Sequence, residues 1–336
     1  MTRRHSCAGC LARLMFALVL VAALAAGVVY YSASRPYQGF QKPVILDFPK
    51  GTSTQSMSAQ LAGAGVIQYS WAFLFARAMR PNARLLAGEY QFSEPASVLT
   101  VFDRIARGDV FFYELTVPEG SNIFDIAASI DRFDFMKGAD FLRVAHDPSP
   151  IRDLAPDAPT LEGYLFPSTY RIERSTTVKQ LARMMTDLFR KHWRELQPSG
   201  EVNPVVTLAS LVEKETALAE ERPLVASVYA NRLRIGMPLD CDPTTIYAAL
   251  LEGRYRGTIY RSDLDSANPY NTYRHAGLPP GPIANPGLAA LKAALAPAAT
   301  SYVYFVARAD GSGGHQFSES IEAHNRAVEQ YRQRRR

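Results

Sequence analysis

From Leu14 to Tyr31 the chain runs for 18 residues without a charged side chain. In a bilayer such a stretch is satisfied as a helix, whose backbone groups pair internally. Arg3, Arg4, His5 and Arg13 precede it, and only Arg35 lies between it and Lys42. Basic residues favour the cytoplasmic side. The sequence therefore predicts a cytoplasmic N-terminus over 1–13, a membrane anchor over 14–32 and an exported body beyond. The small residues from Ala23 to Gly27 would also suit a signal-peptide cleavage site. The run is longer than a usual signal core, which favours an uncleaved anchor. No second run of spanning length follows.

The cysteines agree with an exported body without disulfides. Cys7 and Cys10 precede the anchor, and Cys241 alone follows it, so no bridge can form within the body. A single Cys-x-x-Cys pair is too weak to predict a metal or redox site. The net charge of +5 rests partly on the N-terminal arginines and on a basic tail over 332–336. No nucleic-acid motif accompanies that charge, so nucleic-acid binding is not expected. There is no His-Glu-x-x-His sequence or His/Cys cluster, so neither metal nor cofactor is expected.

Beyond a linker over 33–43, the pattern predicts an α+β fold. Val44–Phe48 reads as a strand, followed by Pro49-Lys50-Gly51-Thr52 and a helix through Met57 and Leu61. The same order returns 69 residues on: strand Glu114–Val117, Pro118-Glu119-Gly120-Ser121, and a helix through Ile123, Ile126 and Ile130. Thr52 and Ser121 are placed to cap these helices. Two strand–turn–helix copies over 44–156 suggest small α+β modules, either plain packing units or glycan binders of the LysM type. Leu86–Phe92 is a further strand candidate, and Ser97–Arg107 a helix stopped by Gly108.

Residues 157–331 read as a larger, helix-rich region with short strands. Helices are predicted over Val178–Leu196 and Ala219–Leu233, from Asp242 or Thr244 as cap, and over Ser320–Tyr331. Tyr302–Val306 and the residues after Gly313-Gly314 are strand candidates. A Pro- and Gly-rich stretch from Asn268 to Gly287 fixes backbone direction without regular structure, and ordered loops of that length are often functional.

Within this region Leu208 to Leu218 has helical periodicity. At about 100° per residue, Leu208, Leu211, Val212 and Leu218 fall within about 60° of Glu215. Glu213 points to the opposite, polar side. A carboxyl group on a core-facing stripe is costly to ionise, so its pKa rises. That is what a general acid needs. The other reading is a helix-edge Glu paired with Arg222 or Arg232.

The chain resembles the YceG-like (MltG) endolytic murein transglycosylases. The resemblance rests on Glu162-Gly163, Phe166-Pro167, Glu213-Lys214-Glu215-Thr216, Val225-Ala226-Ser227-Val228, Asn231-Arg232-Leu233 and Asp242-Pro243-Thr244. It continues through Tyr270-Asn271-Thr272-Tyr273, Gly277-Leu278-Pro279-Pro280-Gly281-Pro282-Ile283, Pro286-Gly287, Tyr304-Phe305-Val306 and Gly313-Gly314-His315. It implies a protein of the cytoplasmic (inner) membrane whose body faces the cell wall and whose synthase partners make glycan strands. It further implies cleavage of the MurNAc-β-1,4-GlcNAc bond inside nascent peptidoglycan strands. In that reaction the muramyl 6-hydroxyl attacks its own anomeric carbon and leaves a 1,6-anhydro end.

The second acid of the Glu-Lys-Glu-Thr motif, here Glu215, is the implied catalytic residue. Glu162 is a candidate to orient substrate or stabilise positive charge on the sugar, or else a loop anchor. Tyr270, Asn271 and Thr272 are candidates to hydrogen-bond the sugar, or else to pack the loop. Tyr164 and Tyr273 are candidates to stack on sugar faces, or else core aromatics. His315 in its turn is expected to be structural. Cys241 is an unexpected residue beside the Asp-Pro-Thr motif. Two rivals stay open: a non-catalytic glycan-binding scaffold and a muramidase-type hydrolase.

Overall fold

The computed structural model describes residues 6–334 except Ser199 and Ala217. Arg3, Arg4, His5, Arg335, Arg336 and the side chains of Cys7 and Cys10 lie outside the described residues. The fold is α+β and helix-rich, with short strands and an N-terminal apolar helix. It divides into two compact units, one up to Tyr113 with Glu173–Ser175, the other over 114–172 and from Thr176 onward.

The first unit opens with α1 (Ser6–Ser34), whose Leu11–Ser34 portion has a mean hydropathy of 2.4 and is long and apolar enough to cross a membrane. There follow β1 (Val44–Phe48), α2 (Thr54–Gly63), α3 (Ser70–Met79), β2 (Gly88–Phe92) and α4 (Val98–Arg107). β1 pairs antiparallel with β2, Val44 opposite Phe92 and Phe48 opposite Gly88. Their inward side chains join the helices in a core of Phe48, Leu61, Phe73, Tyr90, Phe92 and Phe102, each at most 1% exposed. α4 stops at Gly108, which takes the left-handed conformation at φ 73° that glycine adopts without steric cost.

The second unit begins with β3 (Tyr113–Val117, its first residue in the other unit), then α5 (Ile123–Ile130), α6 (Gly138–Ala145), β4 (Ser168–Ile172) and α7 (Val178–Glu195). The chain continues through α8 (Val202–Glu215), α9 (Arg222–Ile235), α10 (Asp242–Leu251), α11 (Arg261–Leu264) and α12 (Leu288–Leu295). It closes with β5 (Tyr304–Ala307), β6 (His315–Ser318) and α13 (Ile321–Arg334). β3 pairs with β4, and β5 forms an antiparallel hairpin with β6 on which α13 packs. The second strand–turn–helix copy thus sits in this unit.

Both helix caps fall one residue later than the sequence suggests. Ser53, not Thr52, accepts the backbone N–H of Ser56 at 3.1 Å, while Thr52 Oγ1 donates to the Pro49 carbonyl. Asn122, not Ser121, forms a reciprocal capping box with Asp125. Each capping residue has the extended backbone a cap requires, φ −70°, ψ 153° at Ser53 and φ −94°, ψ 176° at Asn122.

α8 is the central element of the second unit, packed by α9, α10 and α12. Every residue from Val206 to Val212 is buried, so the helix is enclosed on all sides through its middle. It ends earlier than its periodicity predicts. Thr216 is extended at φ −134°, ψ 132°, and Leu218 lies beyond the helix.

Candidate active site

Because α8 stops at Glu215, this carboxyl group stands at the negative end of the helix dipole. It is half-buried. Its Oε1 accepts two hydrogen bonds, from Tyr229 Oη of α9 at 3.1 Å and from Cys241 Sγ at 3.2 Å. Its Oε2 has no hydrogen-bond partner among the described residues. Burial is the largest influence on this group and pushes its pKa up; the two donors oppose the shift, Asp242 reinforces it and His315 opposes it. Burial also pushes the Tyr229 hydroxyl and the Cys241 thiol well above their usual ranges. Both therefore stay protonated, and donate, at neutral pH.

The arginines that might have neutralised Glu215 are committed elsewhere. Arg222 pairs with Glu213 at 3.0 Å. Arg232 donates to the carbonyls of Val303 at 2.6 Å and Leu239 at 2.8 Å. Among the described residues no cation lies within ion-pair distance of Glu215. Glu213 does not face solvent as its helical angle predicts. Its carboxylate is 5% exposed, paired with Arg222, and accepts the Gly287 N–H at 2.9 Å. The loops around the end of α8 have closed over that side of the helix.

Cys241 is held by local chemistry. It is the N-cap of α10, with Asp242 and Pro243 opening the helix, where a proline lacking N–H costs nothing. Its N–H donates to Thr272 Oγ1 at 3.0 Å, and its carbonyl accepts from Thr244 Oγ1. The next residue, Asp242, accepts from Tyr273 Oη at 2.7 Å, and Tyr273 is 38% exposed. Thr272 and Tyr273 therefore join the Glu215 cluster through Cys241 and Asp242. His315 pairs with Glu221 at 2.7 Å and sets its ring edge-on to Phe305, which meets Tyr229 the same way.

Glu162 belongs to a second polar centre. It is fully buried, and accepts the Ile123 N–H at 2.9 Å and Asn285 Nδ2 at 2.8 Å. Desolvation pushes its pKa up to about 8. The Tyr247 hydroxyl lies against the same carboxyl. The Tyr270 ring lies 5.1 Å from that of Tyr247, tilted at 57°, and its own pKa is pushed up to about 12 by burial. Asn285 ties this centre together. Its Oδ1 accepts from the N–H groups of Gly163 and Leu165, both at 2.9 Å, and its Nδ2 also donates to the Ser121 carbonyl. Gly163 sits at φ +87° with Pro282 so close that a Cβ would meet it at 2.4 Å, which is why glycine follows Glu162.

Tyr164 and Asn271 are enclosed. Tyr164 donates to Asn203 Oδ1 at 2.9 Å and meets the Phe189 ring edge-on. Asn271 donates to the carbonyls of Leu264 at 3.0 Å and Ser266 at 2.8 Å. Both spend their polar atoms inside the protein. Sequence reasoning gave no role to Tyr229, Cys241 or Asn285. Each lies beside a motif block and outside it, and their partners are far away along the chain.

The family model described as the YceG-like family matches residues 46–330. The chain belongs to that family. It is 30% identical over 309 residues to the endolytic murein transglycosylase of Bacillus subtilis (strain 168), covering 86% of this chain and 84% of that relative. It is 29% identical over 327 residues to the endolytic murein transglycosylase of Streptococcus pneumoniae serotype 2 (strain D39), covering 87% of this chain and 59% of that longer protein. The crystal structure of a YceG-like protein from Listeria monocytogenes superposes with a TM-score of 0.55 at 30% identity, over 85% of this chain and 99% of that one.

Proposed function

We propose that this protein is an endolytic lytic transglycosylase that cleaves the MurNAc-β-1,4-GlcNAc bond within nascent peptidoglycan strands and leaves 1,6-anhydro-MurNAc ends. Glu215 is its general acid and base. The observation that carries this reading is the asymmetry of the Glu215 carboxyl group. Two protonated neighbours donate to Oε1, so the acid proton resides on Oε2, the oxygen free to meet a substrate.

In the first step Glu215 gives that proton to the leaving glycosidic oxygen as the bond to the anomeric carbon breaks. The resulting carboxylate is stabilised at once by Tyr229 and Cys241. It then takes the proton of the muramyl 6-hydroxyl as that oxygen closes on the same carbon, and the acid is regenerated. An internal nucleophile has a large advantage over bulk water when its geometry is held, so one carboxyl group serves where a hydrolase uses two. The exposed Tyr273 ring, fixed through Asp242, is the best placed of the sequence candidates to meet a sugar face. Thr272, Tyr270 and Glu162 act behind it, by holding the loops that carry the site.

The comparisons support the substrate class, α1 supports a single-pass membrane anchor, and the arginines before it favour an N-terminus inside, at the cytoplasmic (inner) membrane. In this reading residues 14–32 span the bilayer, 33–43 lead into the body, the 44–156 region holds glycan in the manner of LysM modules and 157–331 does the chemistry. A peptidoglycan synthase that supplies nascent strands is the expected partner.

Mass spectrometry of glycan strands digested by the full-length protein in detergent tests the reaction. Anhydro ends within long strands are expected. Reducing muramic ends would make it a muramidase, and bound but uncut strands a scaffold.

The two donors to Oε1 stabilise the carboxylate, so removing either should raise the pKa of Glu215. Loss of a hydrogen bond to a charged group is worth about 1.5–3 kcal/mol, equivalent to roughly 1–2 pH units. A general acid works below its pKa. The high-pH limb of kcat/KM should therefore move upward by about 1 unit in Cys241→Ala and in Tyr229→Phe. A limb that stays in place or moves down in both variants would remove these residues from the proton chemistry.

A further inference from the structure

We propose that the outer face of α3, led by Tyr69, Trp71 and Leu74, is seated in the headgroup region of the bilayer that α1 enters. The inference rests on the reading of α1 as a membrane anchor and concerns the first compact unit alone.

Three observations converge on it. First, α3 is apolar all round. Ala72, Phe73 and Ala76 face the core, yet Trp71 at 43% and Leu74 at 36% are exposed on the other side, with Ala78 continuing their line. Arg77 is the sole charged residue in Ser70–Met79. A helix of this composition is normally covered on both sides. The exposed ring of Trp71 is stacked on that of Tyr69, itself 45% exposed, with centroids 5.8 Å apart. This makes a rigid aromatic surface of the kind that settles at a membrane–water interface.

Second, no slack separates this face from the end of α1. Ala33, in the last turn of α1, is fully buried in the core of the unit, and α1 packs on α3. Only Arg35 and Pro36 follow before Tyr37, which exchanges backbone hydrogen bonds with Ala96 at 3.0 and 3.3 Å. Tyr31, Ser32 and Arg35 share one cleft of about 380 Å³ with Gln68, Tyr69 and Ala72.

Third, the lengths agree. At 1.5 Å per residue the 24 residues of Leu11–Ser34 reach about 36 Å, a few ångströms more than the roughly 30 Å hydrocarbon core. The surplus falls on the last turn if the other end is flush. Tyr30 and Tyr31, both exposed, then lie at headgroup level, with the Arg35 guanidinium over the Tyr31 ring at 5.4 Å. Tyr69, which lines the same cleft, and Trp71, stacked on it, are thereby brought to the same level. A bilayer thus covers an apolar face that water would otherwise meet. It also fixes the first unit against the membrane by two elements, where a single helix would leave it free to swivel.

The chain carries two tryptophans, Trp71 exposed and Trp193 only 4% exposed, so its own fluorescence reads the seat. The full-length protein is reconstituted in vesicles of ordinary phospholipid and of phospholipid brominated close to the headgroup. Insertion of α1 is checked by resistance to alkaline carbonate. The brominated lipid should remove the Trp71 share of the emission, roughly half of the total if the two residues emit equally, because interfacial tryptophan sits at that depth. Trp71→Phe should show no quenching. Equal emission in both lipids from a carbonate-resistant chain would overturn the seat and leave the anchor standing. A chain stripped by carbonate would overturn the two together.

Discussion

Glu215→Gln should reduce strand cleavage by at least about 1,000-fold, towards the upper part of the range for loss of a general acid–base group. The magnitude follows from the double duty of one side chain. Glutamine cannot protonate the leaving oxygen, and its amide cannot accept the proton of the 6-hydroxyl. The fold should not notice the change. The Gln carbonyl oxygen can still accept from Tyr229 and Cys241, and no ion pair is lost, because Arg222 and Arg232 are engaged elsewhere. The variant should unfold at or somewhat above the wild-type temperature at neutral pH, because the raised pKa of Glu215 costs stability there that glutamine does not, and it should still bind strands. Anhydro ends counted by mass spectrometry give the rate. A variant retaining a tenth of wild-type activity would mean that another group supplies the proton.

That Glu215 stands out in the sequence is a consequence of helix periodicity. Leu208, Leu211 and Val212 are buried as their angles predict, and an acid on their side of the helix has to be desolvated. Periodicity describes one helix alone, however. It placed Glu213 in water because it could not include the Arg222 and Gly287 groups that close over that face. Local signals of the same short range found α7 over 178–195 and the Gly108 stop of α4. They erred by one residue at Thr52 and Ser121, where the next short polar residue, Ser53 or Asn122, takes the cap. The partners of Glu215 were out of reach for a different reason. Tyr229 and Cys241 are 14 and 26 residues away, and Asn285 reaches Glu162 across 123 residues. Such contacts depend on how helices and loops pack, for which composition and spacing hold no local signal. Polar candidates selected by type alone, such as Asn271 and Tyr164, could equally serve a loop or the core.

Asn285→Ala should destabilise the second unit by about 4 kcal/mol, because one side chain serves four buried or part-buried partners. Truncation strands the N–H groups of Gly163 and Leu165 without their acceptor and takes a donor from Glu162 and from the Ser121 carbonyl. Each buried group left unsatisfied costs about 1–3 kcal/mol, less where water enters. Trp193 lies in this unit, so thermal unfolding followed by its emission in a Trp71→Phe background reads the effect. A change in stability below about 1 kcal/mol would show that the loops hold without Asn285, since ordinary surface substitutions fall in that range.

The same centre predicts a pH dependence. Burial pushes the Glu162 pKa up to about 8 from an ordinary carboxyl value near 4.5. Between these values the native state holds a proton that the unfolded chain has released, so the contribution of Glu162 to stability is fully present below about pH 4.5 and is lost as pH rises towards about 8. Glu215 contributes with the same sign. Glu162→Gln carries a constant cost, since its amide nitrogen cannot accept where a carboxyl oxygen did, but the fall with pH should become shallower. An unchanged slope in that variant would mean that Glu162 keeps its charge in the folded protein, and that Ile123 and Asn285 grip a carboxylate instead of an acid.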